Sequence, residues 1–176
     1  MELELTNLRK SINKAYLKEV VQRSSFDHFK TALKNLIEKT ESALDRNEHE
    51  EHFKNILIHF LNETSLEEYY INTSNTGGRI DLAIHNGAKG KDPVGLIFEV
   101  KRPANQAEMI STEQPNKKAM WEAVLYYLKQ RIEEENTDIK QVVITNMWDW
   151  FVIDAQEFER FFYKSSKLRK LYKDWK

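Results

Sequence analysis

The spacing of apolar positions changes along this chain, and each change predicts a new kind of element. Over the first sixty residues the apolar positions recur every three or four residues, which is the period of a helix with one buried stripe. Leu8, Ile12, Ala15, Tyr16 and Val20 form a first such set, and Phe26, Phe29, Leu33, Leu36, Ile37 and Leu44 form a second, with Ser24 and Asp27 as its start signal. Asp45-Arg46-Asn47 breaks the pattern, and Phe53, Ile56, Leu57, Phe60 and Leu61 mark a third helix. Tyr69 to Asn72 then reads as a strand entering the core, and Thr73 to Gly78 as a turn-rich hinge.

From Arg79 the period falls to two. Ile80, Leu82 and Ile84 alternate with Arg79, Asp81 and Ala83, so Asp81 projects away from the isoleucines. Asn86 to Pro93 carries two glycines and a proline and suits a turn between neighbouring strands. Val94 to Lys101 is apolar until it ends in Glu99 and Lys101, which share one face while Leu96, Phe98 and Val100 share the other. A loop from Arg102 to Asn116 follows. Lys118 to Ile132 returns to helical spacing, with Met120, Val124, Tyr127, Leu128 and Ile132 on one side. Gln141 to Asn146 and Trp150 to Ile153 are two more strands, and Asp154 to Tyr163 and Lys167 to Trp175 two closing helices. Alternating helices and strands predict an α/β sandwich with its sheet covered on both faces.

The charged end of the apolar strand is where chemistry enters. A carboxylate and an ammonium desolvated together need a partner: each other, a metal or a phosphate. If the two strands pair, Asp81 and Glu99 converge, and with a strand carbonyl they offer the hard oxygen donors that Mg²⁺ prefers. A plain ion pair between Lys101 and a carboxylate is the structural alternative.

The order of these residues carries a resemblance. Asp81 followed by Glu99-Val100-Lys101 resembles the PD-(D/E)XK nuclease motif. The longer series is similar to the N-terminal nuclease domain of type IIG restriction-modification enzymes, relatives of the type I restriction subunits: Arg79 to Ile84, Asp92 to Gly95, Glu99 to Pro103, Glu108 to Ile110, Lys118 to Met120 and Tyr126 to Leu128. It spans most of the chain from about Glu50.

That resemblance implies a restriction endonuclease-like three-layer sandwich, with a central mixed β-sheet flanked by helices and a helical N-terminal region. It implies one nuclease-like domain over 1–176, with 1–47 as helical extension, 48–153 as catalytic core, and 154–176 leading to a missing downstream domain. Asp81, Glu99 and the Val100 backbone carbonyl become ligands for Mg²⁺, with Mn²⁺ as a substitute, and Lys101 the catalytic lysine. A helix ahead of the strands supplies a glutamate in that family. The spacing favours Glu50 over Glu51, against the other reading of Glu50 as an acid complementing the helix dipole. Arg102, Asn105, Glu108 and Glu122 are secondary candidates. Trp121 stands where relatives often carry a Gln, and Glu122 is placed to fill that space. Double-stranded DNA is the implied substrate, methyltransferase and target-recognition domains are expected downstream, and a transient dimer would cut both strands. A non-cleaving nuclease-fold module that binds DNA or a protein, and a repair or resolvase nuclease, are the alternatives.

Composition narrows the setting. The 176 residues suffice for one domain with a core. The N-terminus has no basic start or apolar stretch of a leader, no run is long enough to span a membrane, and cysteine is absent, so a cytoplasmic protein is expected. A net charge of −1 gives no global field for collecting phosphates, so nucleic-acid contacts must come from local patches. The basic C-terminal stretch Glu157 to Lys176 is one such patch, although a solvated helix face explains it better, and its aromatics suit a core or a docking surface. His49, His52 and His59 lack metal-ligand spacing and read as solvated.

Overall fold

The computed structural model describes residues 4–15, 18–64, 69–72 and 81–175. A single helical turn, α1 (Leu8–Ser11), precedes two long helices, α2 (Arg23–Asp45) and α3 (Glu50–Glu63). Strands β1 (Ile71–Asn72), β2 (Leu82–His85) and β3 (Val94–Val100) follow, then α4 (Lys118–Ile132), β4 (Gln141–Thr145) and β5 (Trp150–Asp154). The C-terminal part is α5 (Ala155–Phe158), which runs into a π-helical turn at Glu159–Tyr163, and α6 (Ser166–Trp175).

The strands form one open mixed sheet in the order β1-β2-β3-β4-β5. Only β3 and β4 are parallel, with α4 as the crossover between them. The hairpin of β2 and β3 pairs Leu82 with Phe98 and Ile84 with Leu96. Beside its turn, a Cβ on Gly95 would lie 2.1 Å from Asn86 Oδ1, so the Asn86 side chain would have to shift. One sheet face packs on α4, α5 and α6 through Ile97, Val124, Tyr127, Val142, Phe158 and Tyr172. The other packs on α2 and α3 through Leu36, Phe53, Leu57, Phe98, Val100 and Val143. The chain is thus an α/β protein with helices on both faces of a mixed sheet. Among the described residues no helix is long and apolar enough to cross a membrane.

Several expectations are corrected. The first helix shrinks to the turn α1, and Val20, read as part of its buried stripe, is 87% exposed. Among the described residues, Ile12, Ala15 and Val20 of that stripe are exposed, and a lone helix of about a dozen residues is marginal in water. Tyr16 lies outside the described residues, as do Arg79, Ile80 and the hinge from Thr73 to Gly78. Ser24 and Asp27 do not open α2; Gln22 precedes it without a side-chain cap, and Asp27 instead pairs with Arg23 and Lys30.

The facing of α2 also differs. Phe26, Phe29, Leu33 and Ile37 remain exposed, while Ala32, Leu36, Thr40 and Ala43 turn inward against α3. Small residues at that contact let the two backbones approach. Tyr69 and Tyr70 do not enter the core but stay exposed beside β1, with the Tyr70 ring 5.2 Å from that of His85. At the C-terminus Phe158 and Tyr172 are core residues, whereas Phe161 and Trp175 are exposed.

Candidate functional site

Register builds the site. Leu82 pairs with Phe98, so one residue further along the same ladder Asp81 stands across from Glu99, on one face of the sheet. The Asp81 carboxylate continues the ladder itself: Oδ2 accepts from the Val100 backbone N–H at 3.0 Å. On the other side of β3, Lys101 N–H donates to Thr145 O at 2.8 Å, which fixes where the lysine leaves the sheet. Glu99 is completely buried and Lys101 nearly so.

Both helical layers reach this sheet end. From α4, Glu122 Oε2 comes within 2.7 Å of Lys101 Nζ, which also touches Glu99 Oε1 at 2.6 Å. From α3, Glu50 Oε2 lies 3.8 Å from the same ammonium, and Glu108 Oε2 approaches it from the loop at 3.9 Å. Asp81 Oδ1 holds Lys54 of α3 at 2.6 Å. Lys118 bridges Glu108 and Glu122 from the rim. Three ammonium groups, Lys54, Lys101 and Lys118, therefore face Glu50, Glu51, Asp81, Glu99, Glu108 and Glu122. Carboxylates outnumber ammonium groups here, six to three.

The titration directions agree. Burial, and then the Asp81 charge, push the Glu99 carboxyl well above the usual range, only partly offset by Lys101. Glu50 is raised in the same way, by burial first. Burial works against the Lys101 ammonium, but Glu99, Glu122 and Glu50 outweigh it and hold the lysine charged. Glu99 Oε2 has no hydrogen-bond partner among the described residues, an unusual state for a buried carboxylate oxygen. These are hard oxygen donors with unfilled capacity, the chemistry that suits Mg²⁺. Among the described residues no three Asp, Glu or His side chains already form a cation cage.

The other sequence candidates are accounted for. Glu51 points outward and reaches only Lys54, at 3.5 Å. Arg102 donates its guanidinium to Asn47 Oδ1 and its backbone N–H to Glu50, so it braces the α2–α3 turn, and it forms no salt bridge among the described residues. Asn105 donates to Glu108, one step removed from Lys101. Trp121 turns away and bonds Asn116, leaving Glu122 as the group of α4 that enters the cluster. His49 and His59 are exposed, His59 beside Glu63.

Over residues 6–176 the sequence matches a family described as a domain of unknown function, DUF7149. The chain belongs to that family. No curated protein and no solved structure matches it.

Two members of the site in this DUF7149 chain escaped the sequence reading. Lys54 carries a signal in hindsight: a cation four residues after Glu50, beside an otherwise apolar stripe. Tyr126 is buried on the Glu122 side of α4, and burial together with Glu99, Asp81 and Glu122 keeps its phenol protonated. A third feature is the β4–β5 turn next to Thr145. Met147 adopts φ 76°, a left-handed conformation that costs a non-glycine residue about 1 kcal/mol or more. Fully buried Asn146 enforces it, accepting from the backbone N–H groups of Trp148 and Asp149 and donating to the Asp149 carboxylate.

Proposed function

We propose that this chain is a Mg²⁺-dependent DNA endonuclease domain of the PD-(D/E)XK, restriction endonuclease-like type. The observation that carries the reading is the meeting of Asp81, Glu99 and Lys101 at one buried sheet end, with an unpartnered oxygen on Glu99. Asp81, Glu99 and the Val100 carbonyl would hold the ion. When bound, it acidifies a coordinated water and polarises the scissile phosphate.

The chain's own groups supply the rest. Lys101, held charged by Glu99, Glu122 and Glu50, orients the attacking water and offsets charge on the phosphate. It is not a proton acceptor in this state, so that role falls to Glu50, whose partly buried carboxyl titrates above its ordinary range. Glu122 positions Lys101 from α4. Tyr126 closes the α4 side against water. Double-stranded DNA is the substrate, a reducing cytoplasm the setting, and Mn²⁺ a workable substitute. Methyltransferase and target-recognition domains belong to the same proposal, because nothing in the cluster reads base edges.

One observation favours a second reading. Lys54 occupies Asp81 Oδ1 at 2.6 Å, as an ammonium would in a nuclease fold that binds DNA or a protein without cutting it. A Mg²⁺ titration followed by thermal unfolding separates the two. The hydrolase reading expects millimolar Mg²⁺ to raise the unfolding midpoint of the wild type and to leave Asp81→Ala unmoved. An equal response in both proteins, or none in either, removes the metal site.

A further inference from the structure

Helix α2 leaves a row of large apolar side chains in solvent. Phe26, Phe29, Leu33 and Ile37 are between 37% and 48% exposed, and partly buried Leu44 continues the row. Spacings of three, four and seven residues put all five on one flank of the helix, beside the inward row of Ala32, Leu36 and Ala43. Single exposed apolar residues are ordinary, but a contiguous row marks an interaction surface.

The charges on α2 select the partner. From Arg23 to Lys34 they are Arg23, Asp27, Lys30 and Lys34, a net +2, and from Asn35 to Asp45 they are Glu38, Lys39, Glu41 and Asp45, a net −2. This order opposes the helix dipole, which favours acids in the first turn and bases in the last; α2 has neither. Arg23 with Asp27, and Lys34 with Glu38, also stand in the less favourable order for pairs four residues apart. A basic half followed by an acidic half therefore weakens the helix alone. It matches a second helix of the same sequence running the other way.

A two-fold axis beside Asn35 makes that match specific. It sets Leu33 against the partner's Ile37 and Phe26 against the partner's Leu44. On the outer flank it sets Lys30 against the partner's Glu41 and Arg23 near the partner's Asp45. The charged groups are exposed, so their present pairings within α2 are exchanged at little cost.

We infer that α2 is a homodimer surface, on which two copies of this chain dock antiparallel through the row from Phe26 to Leu44. Each contact occurs twice, and the pairing closes at two copies. The 23 residues of α2 span about 34 Å. A strip of that length about 10 Å wide on each copy buries on the order of 1,000 Å² in total, the low end for specific interfaces. The dimer is accordingly weak, with a Kd on the order of 10 to 100 μM. The inference is independent of the hydrolase reading and is tested by association alone.

The experiment is sedimentation equilibrium of the whole chain from about 5 to about 300 μM, a range that brackets this Kd, at low and high salt. The wild type should pass from monomer to dimer and no further, more weakly at high salt. Leu33→Glu, at the centre of the row, should remain monomeric. Lys30→Glu and Glu41→Lys each set like charges across the axis and should each weaken association about tenfold. An equimolar mixture of those two should recover wild-type association, because every pair across the mixed dimer is then opposite in sign. Val152→Glu, on exposed β5, should associate like the wild type. Circular dichroism checks each fold, and should Leu33→Glu fail to fold, the exposed charge variants and their mixture decide alone. A wild type that stays monomeric throughout overturns the second copy as occupant of this face. Association that survives Leu33→Glu, or that is lost in Val152→Glu, overturns the α2 surface. A mixture no stronger than its components overturns the antiparallel pairing.

Discussion

Asp81 accepts a hydrogen bond from the backbone N–H of Val100 at 3.0 Å, and that single bond sets its carboxylate across the ladder from Glu99. Two carboxylates held this way by backbone geometry repel each other, and the burial of Glu99 removes the water that would screen them. The site stores unfavourable electrostatics that Lys54 on Asp81 and Lys101 on Glu99 only partly offset.

Glu99→Gln tests that storage. The Glu99 carboxyl is raised in the folded protein, so between the unfolded value near 4.5 and the folded value the native state binds a proton that the unfolded chain has released. Stability therefore falls as pH rises through that window. Glu99→Gln removes the titration: its thermal midpoint should exceed that of the wild type at pH 7, and the two should converge near pH 4. A variant less stable than the wild type at pH 7 contradicts this account of Glu99.

Lys54→Met tests the ammonium on Asp81. Both side chains are largely buried, 13% and 8% exposed, and removing one partner strands the other. The loss without metal should be about 2–4 kcal/mol by urea unfolding, somewhat below that for a fully buried pair. Mg²⁺ should restore more stability to this variant than to the wild type, because the competing cation is gone. An unchanged Mg²⁺ response would mean that Lys54 and the ion do not share Asp81.

The neighbours Trp121 and Glu122 should behave oppositely. Glu122 touches Lys101 at 2.7 Å, whereas Trp121 is half exposed and bonded to Asn116. Glu122→Ala should lower plasmid nicking by about a hundredfold, as expected when a catalytic group loses its positioning partner. Trp121→Ala should leave nicking within about twofold and stability within about 0.5 kcal/mol. Comparable losses in both variants would place Trp121 in the site as well.

Asn146→Ala should unfold at lower urea, by about 2–3 kcal/mol. The fully buried amide makes three hydrogen bonds and enforces the left-handed Met147. A change under 1 kcal/mol would show that the turn keeps its shape without it.

The parts of this fold that were legible in the sequence are those whose signal is local. The end of β3 announces itself because Glu99 and Lys101 interrupt an apolar run, and α4 because its stripe from Met120 to Ile132 keeps one period. The facing of α2 was not legible. Its large apolar residues define a stripe, but which side is buried depends on the small residues Ala32 and Ala43 meeting α3. Lys54 was missed for a related reason: its spacing from Glu50 marks a cation beside the α3 stripe, but its pairing with Asp81 joins residues far apart in sequence. Val20 illustrates the converse, a position at helical spacing that stays exposed.

The most direct measurement is plasmid nicking by the purified chain in Mg²⁺, in EDTA and as Lys101→Ala. The account predicts slow nicking with little sequence preference in Mg²⁺, none in EDTA, and at least a hundredfold loss in Lys101→Ala with its fold retained. Nicking that persists in EDTA or survives Lys101→Ala, or wild-type protein that binds Mg²⁺ and DNA yet never cuts, contradicts it.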